Sequence, residues 1–240
     1  MKKQFAVFNL DGSIVRKNLL EIVTSEMISR GQLDIGPGTQ LIDFFNRYHD
    51  SEKITEINKQ SIEFMFKNLR KGIDTEVYDK IIELSTKHAL ADTYLYTREL
   101  LQSLKNNNFF LIAVSNSEMK LVGSIAKSLG FDAWIGKYSF VENKKKLDGK
   151  YDILKQTNVE VINNLIQKFG LETKASTAVG STISDLEFLN LVETQIVFNP
   201  SQTLFKEARS KGWMVVLERK DMIYGLMKQG DEYVLKQTNV

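Results

Sequence analysis

Four short runs along the chain are apolar without the alternation of polar residues that marks a half-exposed strand. They are QFAVF at 4–8, FFLIAVS at 109–115, STAVGS at 176–181 and TQIVFNP at 194–200. An unbroken apolar run of this length is typical of a central strand that is covered on both faces of a parallel sheet. The pattern therefore predicts a parallel sheet with at least these strands.

The stretches between these runs have apolar residues three and four positions apart, which indicates amphipathic helices. Two of them, KLVGSIAKSLGF at 120–131 and VEVINNLIQKFGL at 159–171, carry a glycine near the end of the pattern. Glycine in that place is typical of a helix C-terminus. The alternation of strands and helices predicts an α/β fold with a doubly wound parallel sheet of the Rossmann type.

One long region breaks this alternation, because residues 16–91 contain no strand-like run. Four of its segments have helical periodicity: LLEIVTSEMISRG, TQLIDFFNRYH, KITEINKQSIEFMFKNLRKG and EVYDKIIELSTKH. We expect a core domain of residues 1–15 and 92–240 and an inserted helical cap domain of residues 16–91. The insert follows the first strand directly, so it should cover the carboxyl edge of the sheet, where open α/β sheets bind ligands.

The segment 134–154, WIGKYSFVENKKKLDGKYDIL, predicts a hairpin of short strands with its turn at Asp148 and Gly149. The three lysines at 144–146 are expected to form a solvated face of that hairpin. The chain after Leu217 has no informative pattern.

Composition narrows the possible partners and metals. The 32 basic and 30 acidic residues leave a formal charge of +2, which favours neither a nucleic-acid track nor an anionic membrane surface. The start MKKQFAVF has no signal-peptide pattern, and no apolar run approaches the roughly 18 residues of a membrane span, so we expect a cytoplasmic protein. With no cysteine and two histidines, any bound metal should be a hard cation held by oxygen.

Polar residues follow three of the predicted strands, in the motifs NLDGS at 9–13, VSNS at 114–117 and GSTISD at 180–185. Together with VFNPSQTLFKEARSKGW at 197–213 and the position of the helical insert, they resemble the haloacid dehalogenase superfamily. The resemblance is to its phosphoserine-phosphatase-like branch with a helical cap, and it covers nearly the whole chain. It implies descent from Mg²⁺-dependent hydrolases of phosphomonoesters.

The resemblance implies a role for each residue of the first two motifs. The family has an aspartate nucleophile at position 9, whereas this chain has Asn9, whose neutral carboxamide cannot attack phosphorus. Asp11 stands at the place of the general acid and base. In the second motif, Ser115 is implied to hydrogen-bond a phosphoryl oxygen.

Three neighbouring residues complete the substrate-binding positions that the resemblance implies. Gly12 and Ser13 follow Asp11 in the turn of the first motif, and Asn116 follows Ser115 in the second. Gly12 allows the tight turn, and Ser13 takes the place of a threonine or another small polar residue.

The positions implied to hold charge are partly substituted. Where the family has two aspartates for Mg²⁺ in the fourth motif, this chain has Ser181 and Asp185. The lysine position of the third motif falls on Asn158, although Lys155 and Lys150 lie nearby in the sequence.

Asn9 and the backbone carbonyl of Asp11 are the other implied metal ligands. With anions missing at positions 9 and 181, the Mg²⁺ site should be weak or absent. A phosphate dianion would also meet Asp11 and Asp185 with little positive charge to offset them. Three coincident replacements favour a naturally degenerate site over a single engineered change at position 9.

The two remaining aspartates also have a purely structural interpretation. Asp11 would accept hydrogen bonds from loop N–H groups, and Asp185 would cap the helix that begins near Ser184.

Three functional hypotheses follow. The first is a pseudoenzyme that keeps the phosphatase fold and binds a small phosphorylated metabolite, another small molecule or a protein. The second is an active phosphomonoesterase in which Asp11 is the general base for a direct attack by water, with a neighbouring lysine recruited for charge. The third is a non-catalytic regulatory protein whose cap or tail contacts a partner.

Overall fold

The computed structural model of the chain describes residues 3–48, 70–220, 222–230 and 232–236, with the backbone only for 44–48. The strands are β1 (Lys3–Asn9), β2 (Phe110–Val114), β3 (Ala133–Ile135), β4 (Tyr138–Asn143), β5 (Lys146–Ile153), β6 (Leu171–Gly180), β7 (Thr194–Phe198), β8 (Met214–Arg219), β9 (Met222–Gln229) and β10 (Glu232–Lys236). The helices of the described part are α1 (Leu19–Ser29), α2 (Ile35–Tyr48), α3 (Thr75–Ala91), α4 (Leu95–Asn106), α5 (Met119–Leu129), α6 (Asn158–Phe169), α7 (Leu186–Leu189) and α8 (Gln202–Lys211).

Eight strands form one sheet in the order β10-β9-β8-β7-β6-β1-β2-β3. The six strands from β8 to β3 in that order pair in parallel, and β9 and β10 continue the sheet in antiparallel fashion. The prediction of a doubly wound α/β fold is therefore confirmed, and the four predicted runs correspond to β1, β2, β6 and β7.

The central strand β1 is buried on both faces, which explains its unbroken apolar sequence. Ala6 and Phe8 pack in one core with residues of α1, α3, α4 and α5. Phe5 and Val7 pack in a second core with residues of α6, α7 and α8. Neighbouring residues of one strand thus enter opposite cores, so neither set can be polar.

Residues 16–48 and 70–91 of the insert form helices and loops and contain no strand. The third predicted helix, over 53–72, lies outside the described residues except at its end. The chain enters and leaves the insert side by side, because Arg16 N donates to Asp92 O (3.0 Å) and Tyr94 N donates to Ile14 O (2.9 Å). The division into core and cap domains at these residues stays a prediction.

Strands β4 and β5 form the predicted hairpin, but the predicted turn position is wrong. Lys144 and Lys145 make the turn, with left-handed φ angles of 49° and 62°, as the tight turns of two-residue hairpins require. Asp148 and Gly149 lie inside β5 at a register shift. There the Asp148 side chain accepts from Lys150 N at 2.7 Å, so the turn chemistry of these residues produces a bulge.

In the part of the chain that the structure describes, no helix is both long enough and apolar enough to cross a membrane.

Candidate functional site

The three motifs meet at one edge of the sheet because β1 lies between β2 and β6. Asn9 is the last residue of β1, Ser115 follows β2 and Ser181 follows β6. All three side chains are buried. Parallel pairing places the carboxyl ends of these strands together, so the structure brings the predicted residues into one site.

The side chain of Asn9 is a donor at the centre of this site. Its Nδ2 lies 2.8 Å from the backbone oxygen of Asp11, 3.3 Å from Ser181 Oγ and 3.3 Å from Asp185 Oδ2. A carboxamide nitrogen has two hydrogens, so these three acceptors share them. The amide group therefore ties the end of β1 to the loop that follows β6.

The side chain of Asp185 accepts hydrogen bonds from the backbone of its own loop, which follows β6. Its Oδ2 accepts from Ser181 N at 2.7 Å and from Thr182 N at 2.9 Å, in addition to Asn9. A side chain at Gly180 would put its Cβ 2.6 Å from the Asp185 Cβ, so this close approach requires glycine. The carboxylate accepts as the last residue of a capping box around the 3-10 turn Ile183–Asp185, whose N-cap is Thr182, whereas at the N-cap of α7 it makes no side-chain bond, so the expected capping is met only at the turn.

Burial makes the charge of Asp185 costly to the folded state. Desolvation raises the pKa of Asp185 to about 6, the hydrogen bonds from Thr182 and Ser181 oppose the rise, and the charge of Asp11 adds to it. Because the folded pKa lies above the ordinary value near 4, the stability contributed by the protonated form is present below pH ~4. That stability is lost as the pH rises through about 6.

We expect this titration to appear as a difference between the native protein and Asp185→Asn in urea unfolding with EDTA. Relative to the variant, the native protein should lose about 2 kcal/mol of unfolding free energy between pH 4 and pH 7. A difference that stays constant over this range would contradict the assignment.

Asp11 connects the insert to the loop after β2. Its Oδ1 accepts from Leu19 N, the first residue of α1, at 2.8 Å. Its Oδ2 accepts from Ser115 Oγ, and that oxygen in turn accepts from Ser117 N at 3.0 Å. Both carboxylate oxygens thus have protein donors, but the backbone donor is the first N–H of α1 and not the loop N–H that the structural interpretation expects.

The other predicted residues occupy different positions around the site. Ser13 is fully buried, and its backbone oxygen accepts from Thr97 Oγ1 at 2.7 Å. Asn116 is exposed in the loop after β2. Asn158 is the first residue of α6, after the N-cap residue Thr157. Their roles in substrate binding and at the lysine position stay predictions.

Gly12 fits the turn that the first motif requires. Its φ is 68°, a left-handed value that favours glycine, and an added Cβ would lie 3.5 Å from Ser181 Oγ.

The predicted metal ligands offer one carboxylate, from Asp185, together with a carboxamide, a hydroxyl and the backbone oxygen of Asp11. The described residues contain no group of three or more His, Cys, Asp or Glu side chains that could hold a metal ion. The carboxylate of Asp11 faces Ser115 and Leu19, and Oδ2 of Asp185 already accepts several hydrogen bonds. This donor set does not fit a resident Mg²⁺ ion, which favours anionic oxygens in octahedral geometry.

A second polar cluster beside the site escaped the sequence analysis. It consists of Arg70, Tyr78, Glu118 and Tyr138. Burial raises the pKa of Tyr138, and the negative charge of nearby Asp11 raises it further. These four residues come from separate segments and share no motif. Only the presence of polar residues within otherwise apolar patterns could have drawn attention to them.

No protein-family model matches the chain. Among curated proteins, phosphoserine phosphatase SerB1 of Mycobacterium tuberculosis strain H37Rv is 28% identical over 152 residues, which cover 60% of this chain and 45% of that protein. The chain thus spans less than half the length of this curated relative.

Solved structures share the fold over most of the chain. A phosphoserine phosphatase in the form of a phospho-aspartyl intermediate analogue superimposes with a TM-score of 0.67 at 18% identity, covering 92% of this chain and 96% of that one. A substrate-bound phosphoserine phosphatase gives 0.64 at 19% identity, with coverages of 86% and 91%. A protein of unknown function from Bordetella pertussis Tohama I gives 0.71 at 17% identity, with coverages of 90% and 98%. The predicted resemblance to the phosphoserine phosphatases of the haloacid dehalogenase superfamily is confirmed at the level of the fold.

Proposed function

We propose that this protein is a pseudoenzyme on a phosphatase fold, descended from Mg²⁺-dependent phosphomonoester hydrolases and no longer able to form an aspartyl-phosphate. One observation carries the proposal: the Asn9 amide donates to Ser181 and Asp185 where the resemblance places a nucleophile and a metal. The aspartyl-phosphate route needs a carboxylate oxygen as the nucleophile, and the carboxamide of Asn9 is neutral and has a delocalised nitrogen lone pair, so it cannot take that role.

The charge balance of the site supports the same proposal. The nearby carboxylates of Asp11 and Asp185 would repel a phosphate dianion, and neither a lysine nor an aspartate stands at positions 158 and 181. Mg²⁺ held by a single carboxylate depends on substrate phosphate for much of its binding energy. We infer that Mg²⁺ binds weakly or not at all and that binding of phosphorylated ligands is weakened together with catalysis.

We propose that the ligand is a small molecule in the cleft between insert and core, phosphorylated or not. The likeness to a substrate-bound phosphoserine phosphatase supports a small-molecule cleft. The near-neutral charge of the chain supports neither nucleic acid nor a membrane surface as the partner. A protein partner is compatible with the same scaffold.

A second candidate function is direct hydrolysis with Asp11 as general base. It is favoured by the hydrogen bond between Ser115 Oγ and Asp11 Oδ2, which keeps a carboxylate beside the implied phosphoryl-binding serine.

Phosphate release from a panel of small phosphomonoesters with Mg²⁺ distinguishes the two candidates. We expect the native protein to release phosphate no faster than Asp11→Ala. A control variant, Asp152→Ala, removes an exposed carboxylate of the hairpin. It should release phosphate no faster than the native protein or Asp11→Ala. Turnover that persists in Asp152→Ala and disappears in Asp11→Ala would overturn the pseudoenzyme proposal. Turnover equal in all three proteins would identify a contaminating phosphatase.

A further inference from the structure

The insert, the β4–β5 hairpin and the start of α5 meet at a buried polar cluster that the phosphoryl site does not use. Tyr78 is 1% exposed, Arg70 2% and Glu118 4%. Burying an arginine and a glutamate costs several kcal/mol unless the two are paired and hydrogen-bonded. The contacts of these residues therefore show how polar groups join the three parts, in addition to the apolar core that α1 and α3 share with α5 and Leu147.

The contacts within the cluster cross from one part to another. The Tyr78 hydroxyl of the insert donates to Glu118 Oε2, at the N-cap of α5 in the core. Arg70 hydrogen-bonds to Tyr138 of the hairpin, and its guanidinium lies 4.6 Å from the centre of the Phe140 ring. Burial raises the pKa of Glu118, whereas the charge of Arg70 and the hydrogen bond from Tyr78 lower it.

Backbone hydrogen bonds fasten the tip of the hairpin to the insert. Gly72 N donates to Leu147 O at 2.8 Å, Leu147 N donates to Ile73 O at 2.9 Å, and Thr75 N donates to Lys145 O at 2.9 Å. The Leu147 side chain is buried in the same apolar core as Ile73. Strand β5 thus pairs with the residues that lead into α3.

The base of the hairpin stays on the core, next to the candidate site. Lys137 N, directly before β4, donates to Ser117 O at 2.8 Å, and Leu154 N, directly after β5, donates to Lys137 O at 2.8 Å. Ser117 belongs to the loop that carries Ser115. The hairpin therefore extends from the loop after β2 to the insert.

We propose that the β4–β5 hairpin and the Tyr78–Glu118 hydrogen bond form a strap that holds the insert closed over the carboxyl edge of the sheet. Release of the strap then controls access to the cleft around Asn9 and Asp11. The inference rests on the proposed function only in taking this cleft as the ligand site. The closed position itself follows from contacts of the strap that involve no ligand.

Because the chain contains no cysteine, two introduced cysteines can carry spin labels for distance measurement by pulsed electron paramagnetic resonance. Glu76→Cys on α3 and Gln167→Cys on α6 are both at exposed positions. The labelled parent should give one narrow distance distribution. Adding Tyr78→Phe should introduce a second, displaced population, because losing a hydrogen bond to a charged acceptor shifts such an equilibrium by about tenfold or more.

Two further variants make the result specific. Tyr233→Phe removes hydroxyl bonds to Ala208 O and Trp213 O in the core, and it should leave the distribution unchanged. Glu118→Gln keeps an acceptor for Tyr78 without the charge and should give a smaller second population than Tyr78→Phe. If Tyr78→Phe does not fold, as judged by circular dichroism, Glu118→Gln alone decides the test.

A distance distribution that is unchanged in every folded variant of Tyr78 and Glu118 would overturn the proposed strap. The distance measurement needs neither ligand nor turnover, so that outcome would leave the proposed loss of phosphoryl transfer untouched. Conversely, phosphate release that persists in Asp152→Ala and disappears in Asp11→Ala would overturn the pseudoenzyme proposal without affecting the strap.

Discussion

Replacing Asn9 with aspartate is expected to lower the free energy of unfolding by about 3 kcal/mol or more at pH 7.5 in EDTA. The Nδ2 atom lies 3.3 Å from Asp185 Oδ2, and the two residues are 7% and 4% exposed. A carboxylate at position 9 would therefore place two like charges in contact, away from water, and remove the donor that Asp185 and Ser181 share. Urea unfolding measures the loss.

The charge can be separated from the lost hydrogen bonds by a matched variant. Asn9→Leu removes the same amide group without adding an anion, so it should lose less stability than Asn9→Asp. A like-charge pair has a raised pKa, so the folded Asn9→Asp variant takes up a proton on acidification and its penalty should shrink below pH ~5. Mg²⁺ should recover part of the stability of Asn9→Asp and little of that of Asn9→Leu. Equal stability of Asn9→Asp and the native protein in EDTA would contradict this account.

The parts of the fold that the sequence predicts are those in which burial dictates a simple pattern. Strands β1, β2, β6 and β7 lie inside the sheet, so both faces must be apolar and the runs are unbroken. Strands β9 and β10 form the antiparallel end of the sheet, with β10 at its edge, and there Met222, Met227 and Leu235 are exposed and several neighbours are half-buried. Their pattern has neither a clean alternation nor an apolar run, so the sequence gives no clear strand there.

The candidate site is predictable where short motifs follow neighbouring strands. Asn9, Ser115 and Ser181 each stand at a strand end, so the sheet topology alone brings them together. The hydrogen bond between Tyr78 and Glu118 joins residues 40 positions apart in sequence, on two helical elements that pack only in the tertiary structure. Hydrophobic periodicity indicates whether a residue is buried, but it does not indicate which polar residue contacts it in the folded protein.

Glu218 is another buried polar residue whose partners periodicity does not predict, and its loss should lower the stability of the fold more. It lies in β8, just beyond the last informative residue of the sequence pattern, and it is 4% exposed. Its carboxylate accepts from Arg16 Nη2 at 2.6 Å, from Leu95 N at 3.1 Å and from Tyr96 N at 2.9 Å. The N-cap residue of α4 makes no side-chain capping bond, so Glu218 supplies the acceptors for that helix end. The same carboxylate holds Arg16, where the chain enters the insert.

Glu218→Ala is therefore expected to lower the free energy of unfolding by about 3 to 5 kcal/mol in urea unfolding. The N–H groups of Leu95 and Tyr96 at the start of α4 would lose their acceptor, and Arg16, whose side chain is one-third exposed, would regain only part of the lost interaction from water. Glu218→Gln keeps one carbonyl acceptor and should lose less. Glu187→Ala, at an exposed carboxylate of α7, should stay within about 0.5 kcal/mol of the native protein. A loss below about 1 kcal/mol in Glu218→Ala would mean that water replaces the carboxylate at the start of α4. The junction between core and insert would then depend on its backbone pairing and on the ion pair between Arg16 and Asp92.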